Sequence, residues 1–484
     1  MSTGSTIVID LGKTLSKVSL WDRSGKMLDR QVRQSTPVEV DGLRRLDAAA
    51  IGEWLLEALG RYSSHPVETI VPVGHGAGVA ALLDDKLAFL PLDYEQPLPA
   101  AILAEYRAQR DEFALTGSPA LPDGLNMGSQ IWWLERLAPA VMKAATLLPW
   151  AQYWAWFLTG TAVSEVTSLG CHSDLWCPIE SDFSPMAKRL GWADRFAPIK
   201  KASSSVGTIR PELAAQTGLS ATVRVLTGLH DSNAALLAAR GFSEIADNEA
   251  TVLSTGTWFV AMRLPVSPVV TSDLPEGRDC LVNIDVVGRP IPSARFMGGR
   301  EIEILIERDV RRVDIKSDQP ALLAAVPDVL RQGSMILPTL ARGFGPFAQG
   351  CFSWIERPQS WDQRRVAASL YAALVADTSL DLIGSSERLI IEGRFTEAEV
   401  LAMAAAIDQG RQAHHPDEPT GIDRPQDQHA ALALGAMAKS DGQDERHGEL
   451  AHVHFTGGGH QAQRSGRKQH QRQKATEQRH DGDD

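Results

Sequence analysis

The sequence predicts a mixed α/β protein built from two similar halves with a cleft between them. Two observations support this prediction. Strand-like and helix-like segments alternate along most of the chain, and a strand-loop-strand pattern near its beginning returns about 245 residues later. The chain has 484 residues, which exceeds the roughly 250 to 300 residues at which a single core stops growing. It is therefore expected to form more than one compact unit.

The first half starts with the strand-loop-strand pattern and continues in alternation. Its strands are predicted at residues 6–9, 18–21, 27–32, 69–73 and 223–228, and its helices at 46–59, 128–137, 138–148, 150–158 and 233–239. The first strand ends in Asp10-Leu11-Gly12, and the last one leads through His230 and Asp231 into a helix. Polar side chains are thus expected where strands end.

The second half repeats the opening pattern around the loop Ser254-Thr255-Gly256-Thr257. Its strands are predicted at residues 251–253, 258–264, 281–287, 291–296 and 388–391, and its helices at 364–383, 397–407 and 429–438. The predicted units are an N-terminal lobe at 1–242, a C-terminal lobe at 243–438 and a tail at 439–484. The tail is rich in His, Gln and Arg and poor in apolar residues, so it is expected to be disordered.

Composition and charge narrow the classes of function. Hydrophobic residues make up 43% and charged residues 22% of the chain, so most of it can form a packed core. The formal charge of -12 gives no electrostatic reason to bind nucleic acid, and no apolar stretch reaches the roughly 18 residues of a membrane helix. Four scattered cysteines and the lack of an export signal predict a reduced, cytoplasmic protein. A small-molecule partner is expected.

The loop after the first strand collects groups that bind phosphate and magnesium. Asp10 supplies a carboxylate, Gly12-Lys13-Thr14 supplies backbone N–H groups and a hydroxyl, and Lys17 supplies an amine. The alternative is a β-hairpin whose turn happens to be polar. Ser254-Thr255-Gly256-Thr257 offers similar groups, with an ordinary tight turn as its alternative. Two such loops at equivalent places could bind successive phosphates of one nucleotide. On the two loops alone, a nucleotide site and a chance occurrence of two polar turns are equally good explanations.

Asp231 has two interpretations of equal weight. It follows an apolar strand and precedes a helix, so its carboxylate could serve only as a helix cap. It could also be a catalytic base, because a carboxylate at a strand end in a cleft can accept a proton from an attacking hydroxyl.

An ordered set of motifs resembles the FGGY carbohydrate kinases. The set consists of Asp10-Leu11-Gly12-Lys13-Thr14 with Lys17, Gly228-Leu229-His230-Asp231-Ser232-Asn233, Ser254-Thr255-Gly256-Thr257-Trp258, and Glu392-Gly393 before a helix. The resemblance extends over about residues 6–438. It implies two ribonuclease-H-like lobes of the actin-like ATPase fold, and ATP-dependent phosphorylation of a sugar hydroxyl in the cleft between them.

The resemblance also implies a role for individual residues. Asp231 is implied as the catalytic base and Asp10 as the residue near Mg²⁺. The residues implied to bind ATP are Gly12, Lys13, Thr14, Lys17, Thr255, Gly256, Thr257 and Gly393. Lys13 stands where many members have threonine, and this variation points to the rhamnulokinase and fuculokinase side of the family. The loop at Gly393 keeps a single glycine where the family usually has two or three, which leaves the adenosine contacts and the nucleotide preference open.

The sugar contacts are expected from the first lobe. The residues implied to bind substrate are His75, Gly76, Asp93, Tyr94, Asn126, Gln130, His172, His230 and Asp231. His75 has an ordinary strand-end role as its alternative, and Trp132, considered for the apolar face of the sugar, could instead be a core residue.

These features together predict a Mg-ATP-dependent kinase acting on a ketose such as L-fuculose, L-rhamnulose or ribulose. Its partners would be the sugar and ATP, without nucleic acid or membrane, and a homodimer remains open. Two other functions stay possible alternatives on the sequence: an actin-like ATPase switch without a sugar substrate, and an inactive pseudokinase that senses sugar.

Overall fold

A computed structural model describes residues 4–242, 245, 248–308 and 315–397, together with the short strands Gln412–His414 and Ala451–His454. The helix predicted at 429–438 and all but the first residue of the one at 397–407 lie outside these residues. Of the tail predicted to be disordered, only Ala451–His454 is described. Those four residues differ from the prediction, because their backbone pairs with residues 388–391 of a sheet.

The N-terminal lobe is organised around a mixed sheet. Its strands are β1 (Ser5–Leu11), β2 (Leu15–Trp21), β3 (Met27–Gln34), β4 (Val38–Val40), β5 (Leu43–Arg45), β6 (Val67–Gly74), β7 (Val79–Leu83), β8 (Lys86–Leu87), β9 (Thr146–Pro149), β10 (Trp176–Cys177), β11 (Asp182–Phe183), β12 (Ser205–Thr208), β13 (Arg224–Leu226) and β14 (Leu229–His230). The main sheet has the order β12-β13-β6-β1-β2-β3, and β14 pairs with β6.

Helices of the N-terminal lobe cover this sheet and build the wall of the cleft. They are α1 (Ala48–Gly60), α2 (Ala100–Arg107), α3 (Phe113–Thr116), α4 (Met127–Leu137), α5 (Pro139–Ala144), α6 (Trp150–Thr159), α7 (Val166–Leu169), α8 (Pro185–Arg189), α9 (Pro211–Thr217) and α10 (Asp231–Ala239). Helix α1 illustrates their formation: the Asp47 side chain accepts a hydrogen bond from the Ala50 N–H at its start. Ile51, Leu55 and Leu59 then bury one face, each stabilising the fold by about 2 kcal/mol.

The C-terminal lobe repeats this arrangement. Its strands are β15 (Ala250–Thr255), β16 (Phe259–Leu264), β17 (Cys280–Ile284), β18 (Pro290–Phe296), β19 (Met335–Leu337), β20 (Ser353–Ile355), β21 (Arg388–Gly393), β22 (Gln412–His414) and β23 (Ala451–His454). Its helices are α11 (Gly298–Ile306), α12 (Ile315–Gln332) and α13 (Trp361–Leu382). The main sheet has the order β17-β18-β16-β15-β21-β23-β22.

The two main sheets confirm the internal duplication. In the first sheet β1 lies antiparallel to β2 and parallel to β6. In the second, β15 lies antiparallel to β16 and parallel to β21. The third strand of the repeat is β18, which pairs with β16, and β17 is an additional outer strand. The predicted boundary at 242/243 falls between α10, which ends at Ala239, and β15.

Two glycines allow β17 to pack against the N-terminal lobe. A Cβ atom at Gly117 would overlap the Val282 side chain, and a Cβ atom at Gly170 would overlap the Ile284 side chain. The Val282 N–H donates to the Gly117 carbonyl at 2.8 Å. Because only a residue without a side chain fits at these points, the contact holds the lobes at van der Waals distance.

The apolar segment at 138–148 differs from its prediction as a single helix. Helix α5 ends at Ala144, and β9 then pairs antiparallel with β7. A continuous apolar run does not distinguish a buried strand from a buried helix, which explains the difference. Among the described residues, no helix combines the length and the apolar character needed to cross a bilayer.

Candidate active site

Three strand ends meet at one edge of the N-terminal sheet. Strands β1, β6 and β14 run parallel, with Leu11 opposite Gly74 and Gly74 opposite His230. Their carboxyl ends therefore bring Asp10, His75 and Asp231 to the same edge. The sequence predicts polar residues at strand ends, and the strand pairing adds that these three ends are neighbours. Clefts at the carboxyl ends of parallel strands are the usual ligand sites of α/β folds.

The β1–β2 loop is a tight and braced turn. The Lys17 amine lies 3.3 Å from the Asp10 carboxylate across the hairpin. The Ser35 hydroxyl donates to the Gly12 carbonyl at 3.1 Å, and the Ser35 N–H donates to the Thr14 carbonyl at 2.8 Å. A Cβ atom at Gly12 would lie 2.9 Å from the Leu15 carbonyl oxygen, so the loop conformation suits glycine. The Thr14 side chain is exposed.

Lys13 of this loop contacts the residues predicted to bind sugar. Its amine forms an ion pair with both carboxylate oxygens of Asp93 and lies 3.4 Å from Glu95. The same amine lies 4.9 Å from the centre of the Tyr94 ring. Asp93 is fully buried and also accepts from Arg44 Nε at 3.0 Å. The loop predicted to hold phosphate is thus joined to the predicted sugar pocket by a partly buried ion pair.

Asp231 sits at the start of α10 with a partly open carboxylate. Its side chain is 37% exposed, and Oδ1 accepts from the Ser232 N–H at 2.6 Å. His230 Nε2 lies 3.0 Å from Oδ1. Burial alone would raise the pKa of Asp231, but the positive charge of His230 outweighs it and holds this pKa at about 2. The carboxylate is therefore ionised at neutral pH.

Cys171 shares the His230 imidazole with Asp231. Its sulfur lies 3.4 Å from His230 Nε2. Burial raises the pKa of the thiol, yet His172 and His230 outweigh burial and lower it to about 5. Burial lowers the pKa of His230, but the charges of Cys171 and Asp231 raise it well above the usual value. Gly76 packs on this cluster, since a Cβ atom there would lie 2.8 Å from the Cys171 sulfur.

Glu165 lies beside the cluster, at a position that no sequence motif marks. One carboxylate oxygen accepts from the Thr167 N–H at 2.9 Å and the Ser168 N–H at 3.2 Å. The Thr167 hydroxyl donates to the same carboxylate oxygen and accepts a hydrogen bond from the backbone N–H of His230 at 3.0 Å. The other carboxylate oxygen is buried and has no hydrogen-bond partner within the part of the chain that the structure describes. Burial raises the pKa of Glu165 to about 7 despite these hydrogen bonds.

His75 and Tyr94 line the cleft beside Asp231. Their rings lie 5.3 Å apart in an edge-to-face arrangement, and His75 also packs against Trp150. Burial lowers the pKa of His75. The hydrogen bond to the Gly76 carbonyl and the charge of Asp231 raise this pKa, but their effect is smaller. A small pocket beside the β1–β2 loop is lined by Gly12, Lys13, His75, Asp93 and Trp150, among others. Both predicted subsites thus border one pocket.

Asn126 and Gln130 use their polar atoms inside the protein. Asn126 is buried, accepts from the Leu121 N–H, and donates to the His172 carbonyl at 3.0 Å. Gln130 is fully buried, and its amide donates to the Ala77 and Gly124 carbonyls. Its amide oxygen has no partner among the described residues. Neither Asn126 nor Gln130 is among the residues that line the pocket. Their hydrogen bonds join neighbouring loops of the N-terminal lobe.

In the C-terminal lobe, hydrogen bonds and close packing hold Thr255 against the segment around Gly393. The Thr255 hydroxyl donates to the Glu392 carbonyl and accepts from the Phe395 N–H at 3.1 Å. Gly393 has a φ of +88°, and a Cβ atom there would lie 2.7 Å from the Thr255 carbonyl oxygen. Gly256 and Thr257 are more accessible, and Thr257 is exposed. The open part of this loop is therefore Gly256-Thr257.

Two arginines near the pocket were missed because their partners are distant in sequence. Arg44 reaches Asp93 over a separation of 49 residues. Arg295 of β18 forms an ion pair with Asp279 at 3.0 Å and lies close enough to Tyr94 to influence its pKa, which burial raises far above the usual value. No short motif marks such contacts, although a hydrophobic strand that carries an arginine is an unusual pattern.

The donor set at Asp10 fits a magnesium ion that is shared with nucleotide phosphates. Mg²⁺ in phosphotransferases is commonly held by one or two carboxylates, substrate phosphates and water. Asp10 offers one carboxylate at the mouth of the β1–β2 loop, beside the Lys17 amine. Among the described residues, no group of three or more His, Cys, Asp and Glu side chains could hold a metal on its own.

The comparisons with known proteins identify relatives for both lobes. The family model "FGGY family of carbohydrate kinases, N-terminal domain" matches residues 103–238, and "Carbohydrate kinase FGGY, C-terminal domain" matches residues 247–436. A carbohydrate kinase from Novosphingobium aromaticivorans has a solved structure that is 67% identical in sequence, covers 94% of this chain and 95% of its own, and superposes with a TM-score of 0.83.

More distant relatives are known by their substrate. An L-fuculokinase from Salmonella typhi is 28% identical over 282 residues, which are 53% of this chain and 56% of the fuculokinase, so the match spans little more than half of that relative. A glycerol kinase from Plasmodium falciparum, with ADP bound, is 13% identical, covers 98% of both chains and has a TM-score of 0.71, a likeness of fold alone. The chain has the two-lobed actin-like ATPase fold and belongs to the FGGY family of carbohydrate kinases.

Proposed function

We propose that this protein transfers the γ-phosphoryl group of ATP to a hydroxyl group of a ketose sugar. The observation that carries the proposal is the environment of Asp231. Its carboxylate is ionised, partly exposed at the cleft and held by His230 and Ser232. A fixed carboxylate of this kind can accept the proton of an attacking hydroxyl, which is the role of the base in phosphoryl transfer.

Asp231 performs the proton transfer in this proposal. A sugar hydroxyl placed within hydrogen-bond distance of Asp231 Oδ2 would be oriented for attack, and its proton would pass to Asp231 as the new bond to phosphorus forms and the bond to ADP breaks. His230 keeps the carboxylate in position and ionised. A pKa of about 2 makes Asp231 a weak base, which suits a loose transition state in which the proton leaves late.

The phosphates of ATP would lie between the two strand-loop-strand motifs. The N–H groups and side chains of Gly12, Lys13, Thr14 and Lys17 would hold them from one lobe, and Gly256 and Thr257 from the other. Asp10 would hold Mg²⁺, which when bound neutralises charge on the phosphates. Gly393 would leave room for the adenosine, and Thr255 would act by holding the loop in shape.

The sugar is expected to be a ketose related to L-fuculose, L-rhamnulose or ribulose. The similarity to L-fuculokinases supports this class. His75 and Asp93 line the pocket, and the Tyr94 ring packs edge-to-face against His75, so these residues would offer a ring face and polar groups to a sugar. His172 and Asn126 would stabilise the wall that carries these residues.

The test is to measure ADP formation with Mg-ATP and L-fuculose, L-rhamnulose or ribulose. We expect one of these to stimulate turnover, and Asp231→Asn to lower kcat by about 1,000-fold, because a general base contributes roughly 10²- to 10⁴-fold. Asp182→Asn, at an exposed surface carboxylate, is the matched control and should retain full activity.

Three results would contradict the proposal. Sugar-independent ATP turnover would favour the actin-like ATPase switch. Sugar binding without ATP binding in calorimetry would favour the sugar-sensing pseudokinase. Turnover of Asp231→Asn near the wild-type rate would remove Asp231 as the base.

A further inference from the structure

The ion pair between Lys13 and Asp93 joins two parts of the site for which we propose different ligands, ATP and the sugar. Lys13 lies between Gly12 and Thr14 in the β1–β2 loop, and Asp93 lies 80 residues further along the chain in the wall of the sugar pocket. Asp93 is fully buried, whereas the Lys13 side chain retains 16% exposure. Of the two partners, the lysine is therefore the one that can move.

Asp93 does not depend on Lys13 for its hydrogen bonds. Its carboxylate also accepts from Arg44 Nε at 3.0 Å and from the Glu95 N–H at 2.8 Å. Arg44 also pairs with Glu95 at 3.1 Å. If Lys13 moved away, Asp93 would keep a cationic partner and a backbone donor, so the penalty of leaving a buried charge unpaired would be small.

The Lys13 amine, in contrast, has only the groups around Asp93 to neutralise its charge among the contacts that the structure describes. It faces two carboxylates, Asp93 and Glu95, and the Tyr94 ring. These contacts satisfy the positive charge, and they would have to loosen before the amine could serve a phosphate. A lysine carries its charge on a flexible four-carbon stem, so such an exchange needs only rotations of the side chain.

We propose that Asp93 holds Lys13 away from the nucleotide until a sugar engages Asp93, so that the ion pair couples occupation of the sugar pocket to the affinity for ATP. This inference rests on the proposed function. Sugar hydroxyls that donate to Asp93 compete with the amine, and the released Lys13 then binds ATP phosphate. The coupling is reciprocal, since ATP that captures Lys13 frees Asp93 for the sugar. Without sugar, the ion pair limits wasteful hydrolysis of ATP.

The first experiment needs no sugar. Calorimetry measures the affinity of the wild type and three variants for the non-hydrolysable analogue AMP-PNP with Mg²⁺. We expect Asp93→Asn to tighten binding about 5-fold or more, because Lys13 is released. Lys13→Met should weaken binding, and the double variant should match Lys13→Met. Arg44→Met is the matched control: it also removes a cation from Asp93 but should not tighten binding, because Asp93 then holds Lys13 more firmly.

A second variant guards against misfolding of Asp93→Asn. Glu95 is half exposed and lies 3.4 Å from the Lys13 amine, so Glu95→Gln should tighten AMP-PNP binding to a smaller extent without disturbing the core. Equal affinities of the wild type, Asp93→Asn and Glu95→Gln for AMP-PNP would overturn the proposal, because Lys13 would then be a fixed structural partner.

The second experiment adds L-fuculose, or whichever ketose gives turnover. We expect the sugar to tighten AMP-PNP binding to the wild type and to have no such effect on Lys13→Met. Persisting sugar-dependent tightening in Lys13→Met would also overturn the proposal. If no ketose binds at all, the proposed function fails, whereas the sugar-free affinities still decide whether Asp93 restrains Lys13.

Discussion

The loops that follow β1 and β15 occupy equivalent places in the two lobes but differ in chemistry. The β1–β2 loop carries charged side chains, with Asp10 paired to Lys17 and Lys13 reaching Asp93. In the β15–β16 loop, the buried Thr255 hydroxyl is used within the lobe. The duplication thus preserved the backbone, while charge was placed in one lobe and close packing in the other.

One substitution at each loop tests this difference, and of the tests of this comparison we expect it to give the largest effect. Asp10→Asn should lower kcat by about 100-fold and raise the Mg²⁺ concentration for half-maximal rate, since it removes the carboxylate proposed to hold the ion. Thr255→Val should change kcat less than tenfold but lower the free energy of unfolding by about 1 to 3 kcal/mol, because it leaves buried polar groups unpaired. Rates at varied Mg²⁺ and urea unfolding measure the two effects. Equal Mg²⁺ requirements of Asp10→Asn and wild type would contradict the comparison.

The close packing at the β15–β16 loop can be tested at Gly393, which packs against Thr255 at the end of β15. Gly393→Ala combines a φ of +88° with a Cβ atom 2.7 Å from the Thr255 carbonyl oxygen, so it should cost about 3 kcal/mol of unfolding free energy. Gly288 is the matched control, because its φ is +85° and no atom would lie within 4 Å of a Cβ. Gly288→Ala should cost about 1 kcal/mol. Urea unfolding of both variants decides the point, and equal losses would mean that only the backbone conformation matters.

A third test concerns the importance of charge in the N-terminal lobe, and it changes the charge of His230 beside Asp231. His230→Asn removes the main group that lowers the pKa of Asp231, so burial should raise this pKa and move the acidic limb of the kcat profile to higher pH. Cys171→Ser should cause a smaller shift in the same direction, because Cys171 helps to keep His230 protonated. The measurement is kcat against pH for both variants and wild type. Superimposable profiles would mean that His230 does not control the charge of Asp231.

The smallest effect is expected at Glu165. Its pKa is near 4.5 in the unfolded chain and about 7 in the folded one, so the folded state holds its proton more tightly. Stability from this group is complete below about pH 4.5 and is lost as the pH rises through 7. Glu165→Gln should therefore raise the melting temperature by a few degrees at about pH 8.5 and leave it nearly unchanged at about pH 4.5. A gain that is equal at both pH values would show that Glu165 does not titrate in this range.

Local sequence patterns were sufficient to predict the duplicated fold and the strand-end residues. The alternation of apolar segments located β1, β6, β15 and β21 and with them the strand-end positions of Asp10, His75 and Asp231, whereas the common edge of these three residues is seen only in the strand pairing. These predictions succeeded because they depend on spacing within a few residues.

The contacts of individual side chains could not be predicted in the same way. The partner of Lys13 is 80 residues away, and the lock between Thr255 and Phe395 spans 140 residues. Asn126 was expected to face the sugar, but the loops around it use its polar atoms. Such contacts depend on how the helices and loops of the cleft wall pack, and single-sequence patterns carry little information about that packing.

The close contact of β17 with the N-terminal lobe also limits which residues the lobe interface can accept. Gly117 and Gly170 bring Val282 and Ile284 of the C-terminal lobe against the other lobe without an intervening side chain. A layer this thin cannot be compressed, and sliding would break the hydrogen bond between Val282 and Gly117. At these two points the lobe interface therefore admits no side chain larger than a hydrogen atom, so alanine at either position would force the lobes apart locally.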